Sequence, residues 1–241
     1  MTKNEEIEIV QNARELLSSR FQGILATHSI ECPGYPFGSL IPYSLDRHGW
    51  PLILISHLAK HTRNMTTDPH CNLTISEQDA GDTQTLTRLS CLADAVPVSN
   101  IDKRAADRHF RYFPESRIYH EDLNFLFYRL VPVRFYCVAG FGAARWIGVD
   151  RMQVDNPFSH SEEEALLADI NNRFCGRLIK RLAPTTDADS PLIAVGLDGS
   201  GLDLRQNRRL LRLSLHARVN TPPEFLSVLT DCIQSSYFHN P

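Results

Sequence analysis

The amino-acid sequence predicts an α+β protein: a closed or nearly closed antiparallel β-barrel over about residues 1–150, followed by a small α+β domain. Three observations point there. Short apolar or alternating runs recur through the first part of the chain, separated by turn signals such as Cys32-Pro33-Gly34-Tyr35-Pro36 and Asp46-Arg47-His48-Gly49. They lack the strand–helix alternation that a parallel sheet requires. Between Val149 and His160 the periodicity lapses around Asp155-Asn156-Pro157, and the pattern resumes as helix, meander, helix.

The first element is a helix from Asn4 to Ser19, with Ile7, Val10, Ala13 and Leu17 at helical spacing and Glu5, Glu6 and Glu8 near its positive end. Gly23–Thr27, Ser39–Leu45 and Leu52–Ile55 read as strands of a meander. Leu58–Met65 has helical composition and stops at Asp68-Pro69, after which Cys71, Leu73 and Ile75 alternate with polar residues as a strand with one wet face. A long strand over Thr83–Val96, a helix over Asp102–Tyr112, and an antiparallel pair formed by Phe125–Leu130 and Arg134–Phe141 complete the barrel. Residues 151–160 read as a linker between domains spanning residues 1–150 and 161–241. In the second domain Ser161 and Glu164 form a capping box for a helix running to Leu182. Leu192–Leu197, Leu202–Leu204 and Leu211–Leu215 make the meander, with Asp198-Gly199 as its first turn. Thr221 caps a last helix whose first residue is Pro222.

Composition narrows the function classes. With 42% hydrophobic residues the chain can build a core, and 25 basic against 28 acidic residues leave no global positive field for nucleic acid. The longest apolar run, Pro51–Ile55, is far shorter than the roughly 20 residues of a membrane-spanning helix. The polar, acidic start does not resemble a secretory signal, and six scattered cysteines form no C-x-x-C pair, so reduced thiols in a cytoplasmic protein are expected. Nucleophile-elbow, zinc-protease, P-loop and dinucleotide motifs are all missing from the sequence.

What remains are constellations. His57 and His61, four apart, would share a helix face and could hold a metal or a haem edge. Lys60, His61 and Arg63 at a strand-to-helix junction could form an anion site, or simply a solvated basic face. Arg88 on a barrel strand could point into a cleft or into water, and Gly140-Phe141-Gly142 suggests a bulge. Arg205, Arg208, Arg209 and Arg212 form a basic cluster, with Asp198 and Asp203 close by in sequence, and no nucleic acid partner is expected there. His239 sits in a tail that could swing an imidazole over a cleft or simply fray.

The run Ser56-His57-Leu58-Ala59-Lys60-His61-Thr62-Arg63-Asn64-Met65 with Asp68-Pro69, the Thr87-Arg88-Leu89 strand and Ala139-Gly140-Phe141-Gly142-Ala143-Ala144 resemble the haem-utilisation family. That family belongs to the FMN-binding split barrels that include pyridoxamine 5'-phosphate oxidase. The resemblance covers about Leu16–Gly148, and Ser161–Tyr237 is similar to the α+β domain of unknown function that often follows such barrels. It implies a homodimer of six-stranded split barrels with ligand clefts at the subunit interface, lined by both chains. In the oxidase branch a serine, an arginine and a lysine hold the flavin phosphate where Ala59, Lys60 and His61 stand here, and the flavin-gripping strand carries an arginine and a lysine that Gly38–Tyr43 lacks. In the haem-degrading branch the resemblance implies His239 as iron ligand and Lys60, His61, Arg63 and Arg88 as the basic set for the propionates. Asn124 stands where some members carry an aspartate that tunes the ligand histidine, and Asp169–Phe174 lacks both histidines of a run common in the second domain. The function this implies is haem binding, with oxygen-dependent haem degradation as the activity. An FMN-dependent oxidoreductase and a non-catalytic binding dimer are the alternatives.

Overall fold

The computed structural model describes residues 3–77, 82–99, 101, 103–139, 143–182 and 190–234. Two units are distinguished: residues 1–105 with 115–155, and residues 106–114 with 156–241.

In the first unit α1 (Lys3–Ser19) buries Ile9, Val10, Ala13, Leu16 and Leu17, while Ile7, expected on the inner stripe, is 44% exposed. The strands are β1 (Gln22–His28), β2 (Pro36–Pro42), β3 (Ser44–Leu45), β4 (Pro51–Ser56), β5 (His70–Ser76), β6 (Arg88–Pro97), β7 (Phe125–Val138) and β8 (Ala144–Ile147). All pairings are antiparallel, in the order β2-β1-β5-β6-β7-β4-β3 with β8 beside β7. The run Ser39–Leu45, read as one strand, is split by Tyr43 into β2 and β3. These stand at opposite ends of the strand order but adjoin in the chain, so the sheet must curl until its two ends approach. Tyr43 fastens this corner: it is buried, its N–H donates to the Phe21 carbonyl at 2.9 Å, and its hydroxyl donates to the Leu17 carbonyl at 2.7 Å. Gly23 lies where β1 and β5 press together, since a Cβ there would stand 2.8 Å from the Leu73 side chain.

Several boundaries differ from the sequence reading. α2 is Lys60–Thr67, so His57 and Leu58 precede the helix rather than open it. Thr83–Thr85 form a turn instead of the start of a strand, because the Asp82 carboxylate accepts from the Gln84 N–H and its carbonyl from Thr85. Phe125–Leu130 and Arg134–Phe141 are not a hairpin. Residues through Val138 form one strand, β7, which passes Pro132 with a register shift against β6, and the strand that follows it in the chain and pairs with its second half is β8. Gly140-Phe141-Gly142 lies outside the described residues. Between β6 and β7 the chain forms α3 (Lys103–Tyr112) and α4 (Ser116–Asp122), and after β8 comes a single turn, α5 (Val149–Met152).

In the second unit, α6 (His160–Arg173) starts two residues earlier than the expected box. Ser159 is the N-cap and Glu162 closes the reciprocal hydrogen bonds. The long helix expected to reach Leu182 breaks at Phe174 and resumes as α7 (Cys175–Leu182). β9 (Leu192–Asp198), β10 (Gly201–Gln206) and β11 (Arg209–Ser214) form the meander in sequence order, and α8 (Pro222–Gln234) follows. Phe158, Ile170, Leu178, Leu197, Leu202, Leu204, Phe225 and Leu229 fill its core.

Candidate functional site

The polypeptide turns from β4 into α2 at the edge of the barrel, and the helix starts without help. Ala59 is its N-cap, no side chain caps it, and its first turn holds no acidic residue. The positive end of the helix therefore adds to the charges of Lys60 and Arg63. A single carboxylate faces both: Glu31, from the β1–β2 connection, lies 2.7 Å from Lys60 Nζ and 3.4 Å from Arg63 Nη2. Lys60 is the stronger influence holding the Glu31 carboxyl below its usual range.

Asn64 ties this corner to the sheet. Buried on the inner face of α2, it accepts from the Ile30 N–H at 3.2 Å and donates to Thr27 Oγ1 at 2.9 Å. His61 lies one residue past Lys60, with Nδ1 3.1 Å from Ser39 Oγ on β2. Its Nε2 is buried without a hydrogen-bond partner among the described residues. Burial lowers the His61 pKa, so the ring is neutral near pH 7 and is not one of the cations expected of it.

His57 does not share a helix face with His61. It is exposed in the turn before α2 and donates from Nδ1 to the Asn124 carbonyl at 3.2 Å. Asn124 has φ +54 directly after the C-cap of α4, a left-handed position that asparagine tolerates better than most residues. The neutral amide thus stands, in a strained backbone position, where the resemblance implied a carboxylate. Arg88 opens β6 in register with Ser76, toward the Gln22 end of β1, whereas Lys60 and Arg63 gather beyond the His28 end. Within one chain Arg88 is not brought to the other basic residues. His239 lies outside the described residues.

A second feature is the open face of the sheet. Register places Leu40, Ile24, Thr74, Ser90, Tyr136 and Trp146 in one row across six strands. Leu40 is 71% exposed, and Ile24 and Trp146 are each 52% exposed. Trp146 packs on Tyr136 at 4.9 Å between ring centres and carries the Arg134 guanidinium over its face at 5.1 Å. Beside this row a 330 Å³ depression is lined by Ala26, His28, His70, Asn72, Leu92 and Asp94, among others.

The basic cluster expected in the second unit is taken apart. Arg212 is buried, donating to Asp203 Oδ1 at 2.8 Å and to both Asp198 oxygens at 2.7 Å, so it cannot act as a surface cation. Glu31 and Ser39 were not recognised as site residues in the sequence. One sits in a turn segment and the other opens a run that reads as a strand, and only the pairing of β1 with β2 and the packing of α2 bring them to the site. Five cysteines are buried and Cys32 is exposed, all unbridged; burial pushes the Cys71 thiol up to about 12. Among the described residues no helix is long and apolar enough to cross a membrane, and no group of three or more His, Cys, Asp or Glu could hold a metal ion.

Comparison with known proteins adds to this geometry. Residues 4–154 match the family described as CREG, beta-barrel. A non-canonical haem oxygenase of Arabidopsis thaliana chloroplasts is 30% identical over 142 residues, which are 59% of this chain and 44% of that protein. The chain thus spans less than half the length of that relative. The haem oxygenase HutZ of Vibrio cholerae is 26% identical over 56% of this chain and 78% of its own. In three dimensions an Agrobacterium tumefaciens protein of unknown function superimposes with a TM-score of 0.77 at 23% identity, covering 93% of this chain and 94% of its own, which extends the shared fold through the second unit.

Proposed function

The chain belongs to the CREG β-barrel family, and from that premise we propose that it is a haem-binding protein whose ligand is held at the start of α2. The observation that carries this reading is the uncapped helix start, where Lys60 and Arg63 face outward beside a neutral imidazole with an unused nitrogen. The donor set fits haem. Two cations suit the propionates through charge-assisted hydrogen bonds, and a neutral imidazole suits iron. Both curated relatives carry haem oxygenase in their names, which supports the same class of ligand.

Bound haem would supply the iron and redox chemistry that oxygen-dependent ring opening needs. The protein's own residues bind and orient. Lys60 and Arg63 hold the carboxylates, and Ser39 fixes the ring plane of His61. Two imidazoles are proposed for the iron: His239, by its place in the chain, and His61, whose unused Nε2 is buried and reaches a ligand only when the side chains covering it move aside. His57, held by the Asn124 carbonyl, flanks the site.

We further assign a homodimer, in which a second copy covers the row from Leu40 and Ile24, across Thr74 and Ser90, to Tyr136 and Trp146, and brings its Arg88 to the cleft. A cytoplasmic location accords with the unbridged cysteines. Leu40→Lys should shift the protein from dimer to monomer in light scattering; a monomeric parent would remove this assignment.

Haemin titration followed at the Soret band tests the whole reading. Saturable uptake near one haem per chain is expected, with affinity at least about tenfold lower in the Lys60→Ala/Arg63→Ala double variant, given 1.5–3 kcal/mol for a charged hydrogen bond. Of His61→Ala and His239→Ala, the variant that displaces the Soret maximum identifies the iron ligand. Unsaturable uptake, indifferent to Lys60 and Arg63, would overturn the reading, and tight FMN uptake alone would replace it with the flavin alternative.

A further inference from the structure

We propose that Glu31 is a built-in competitor for the ligand's anionic groups, its carboxylate occupying the cation pair that a propionate or phosphate must take over. This rests on the haem reading above and concerns the same site. The carboxylate divides its oxygens between the two cations, Oε2 to Lys60 and Oε1 to Arg63, in the two-point manner of a bound carboxylate ligand. It comes from a different element than the helix whose charges it neutralises, so it can leave without unwinding α2.

The backbone that presents it is fixed on both sides. The Ile30 N–H donates to the buried Asn64 side chain, and the loop closes through Ser29 N–H to Tyr35 O at 3.0 Å and Tyr35 N–H to Cys32 O at 3.1 Å. Only the Glu31 side chain has to swing aside. About half of each partner is exposed, so the pair is screened and weak enough for a ligand to displace it. The arrangement keeps two adjacent cations balanced when no ligand is bound, and it sets a threshold that an anionic ligand must exceed.

The test compares the parent protein with Glu31→Gln, which keeps the side-chain shape and removes the charge. Each is titrated with haemin and haemin dimethyl ester, and with FMN and riboflavin, after thermal unfolding has shown equal midpoints. Glu31→Gln is expected to tighten haemin by about two- to fivefold, the range of an exposed ion pair, and to leave the ester unchanged. Added salt should narrow the difference. Equal affinity of parent and variant for haemin, or an equal gain for the ester, would overturn the inference while leaving the haem reading in place. The same charge-dependent gain seen with FMN over riboflavin, without haemin uptake, would keep the role of Glu31 and overturn haem as the ligand. If neither protein binds either anion, the reading and the inference fall together.

Discussion

At the start of α2 two cations face one carboxylate in partly exposed surroundings, and the buried Nε2 of His61 has no hydrogen-bond partner among the described residues. In the second unit Arg108, Glu163, Asp203 and Arg212 are all buried, yet their charges are matched. Glu163 takes both Arg108 and Arg111, Arg212 takes both Asp198 and Asp203, and the Tyr112 hydroxyl donates to the second Asp203 oxygen at 2.6 Å. Burial works against the charge of Arg212, but Asp198 and then Asp203 hold its pKa above the ordinary value. Burial raises the Asp203 pKa despite Arg212, whereas at Asp198 burial is outweighed by Arg212, the Ser200 N–H and Arg108 together, and the pKa is lowered. Groups left unmatched near a surface are available to a ligand, while groups matched in the interior are committed to the fold. The basic residues of this chain therefore have two different uses that look alike in the sequence.

Breaking the interior network should have the largest effect. Arg212→Ala leaves two carboxylates enclosed without their partner and is expected to destabilise the second unit by about 3–5 kcal/mol. Both tryptophans, Trp50 and Trp146, belong to the first unit, so urea unfolding followed by fluorescence and by circular dichroism separates the two responses. A large loss in the dichroism midpoint with an unchanged fluorescence transition would show that the units unfold independently, and coincident shifts would show that they do not. An unchanged dichroism curve would contradict the structural role given to the network.

The next effect is steric. A Cβ at Gly196 would run into the Tyr112 hydroxyl, so Gly196→Ala should cost about 1–3 kcal/mol by the same measurement. An unchanged midpoint would mean that the Tyr112 ring, which also stands within 3 Å of that Cβ, moves aside. In the first unit the corresponding backbone constraint is smaller. Asn124→Leu should cost about 1–2 kcal/mol at its left-handed position while Asn124→Gly stays within a few tenths, as read from chemical denaturation.

The smallest expected effect is on pH dependence. The folded-state pKa of His61 lies below its ordinary 6.5, so the unfolded chain takes up a proton first as pH falls. Its contribution to stability is complete above about pH 6.5 and is lost as pH falls through the lowered folded value. His61→Phe should flatten that part of the stability profile. An unchanged slope would mean that the ring is not held neutral by burial, and the contrast between an unmatched barrel site and a matched interior would weaken.

Much of this was legible from short-range pattern. Alternation gave β1 and β5, Pro222 after Thr221 gave the last helix, and the run Ser56–Met65 located the corner that α2 occupies. Pattern and structure part where a distant partner decides the local state. Nothing within Ser39–Leu45 says that β2 pairs with β1 while β3 pairs with β4, and nothing near Pro132 says that β6 will carry β7 straight past it. The capping box slipped by two residues because Ser159 and Ser161 are equally good caps in isolation. Position in the chain puts Asp102–Tyr112 with the barrel, but residues 106–114 cluster with the second unit, where Arg108, Arg111 and Tyr112 join its polar network.

By itself the sequence determined what depends on neighbours along the chain: a barrel of short strands, a helix–meander–helix unit after it, and a basic, histidine-containing helix start. These follow from periodicity, proline and glycine placement and charge spacing, which act over a few residues. Only the tertiary structure decided which charges are free to meet a ligand. The free energy of a charge depends on its solvent and its partners, and Glu31 reaches Lys60, just as Asp203 reaches Tyr112, across long stretches of chain.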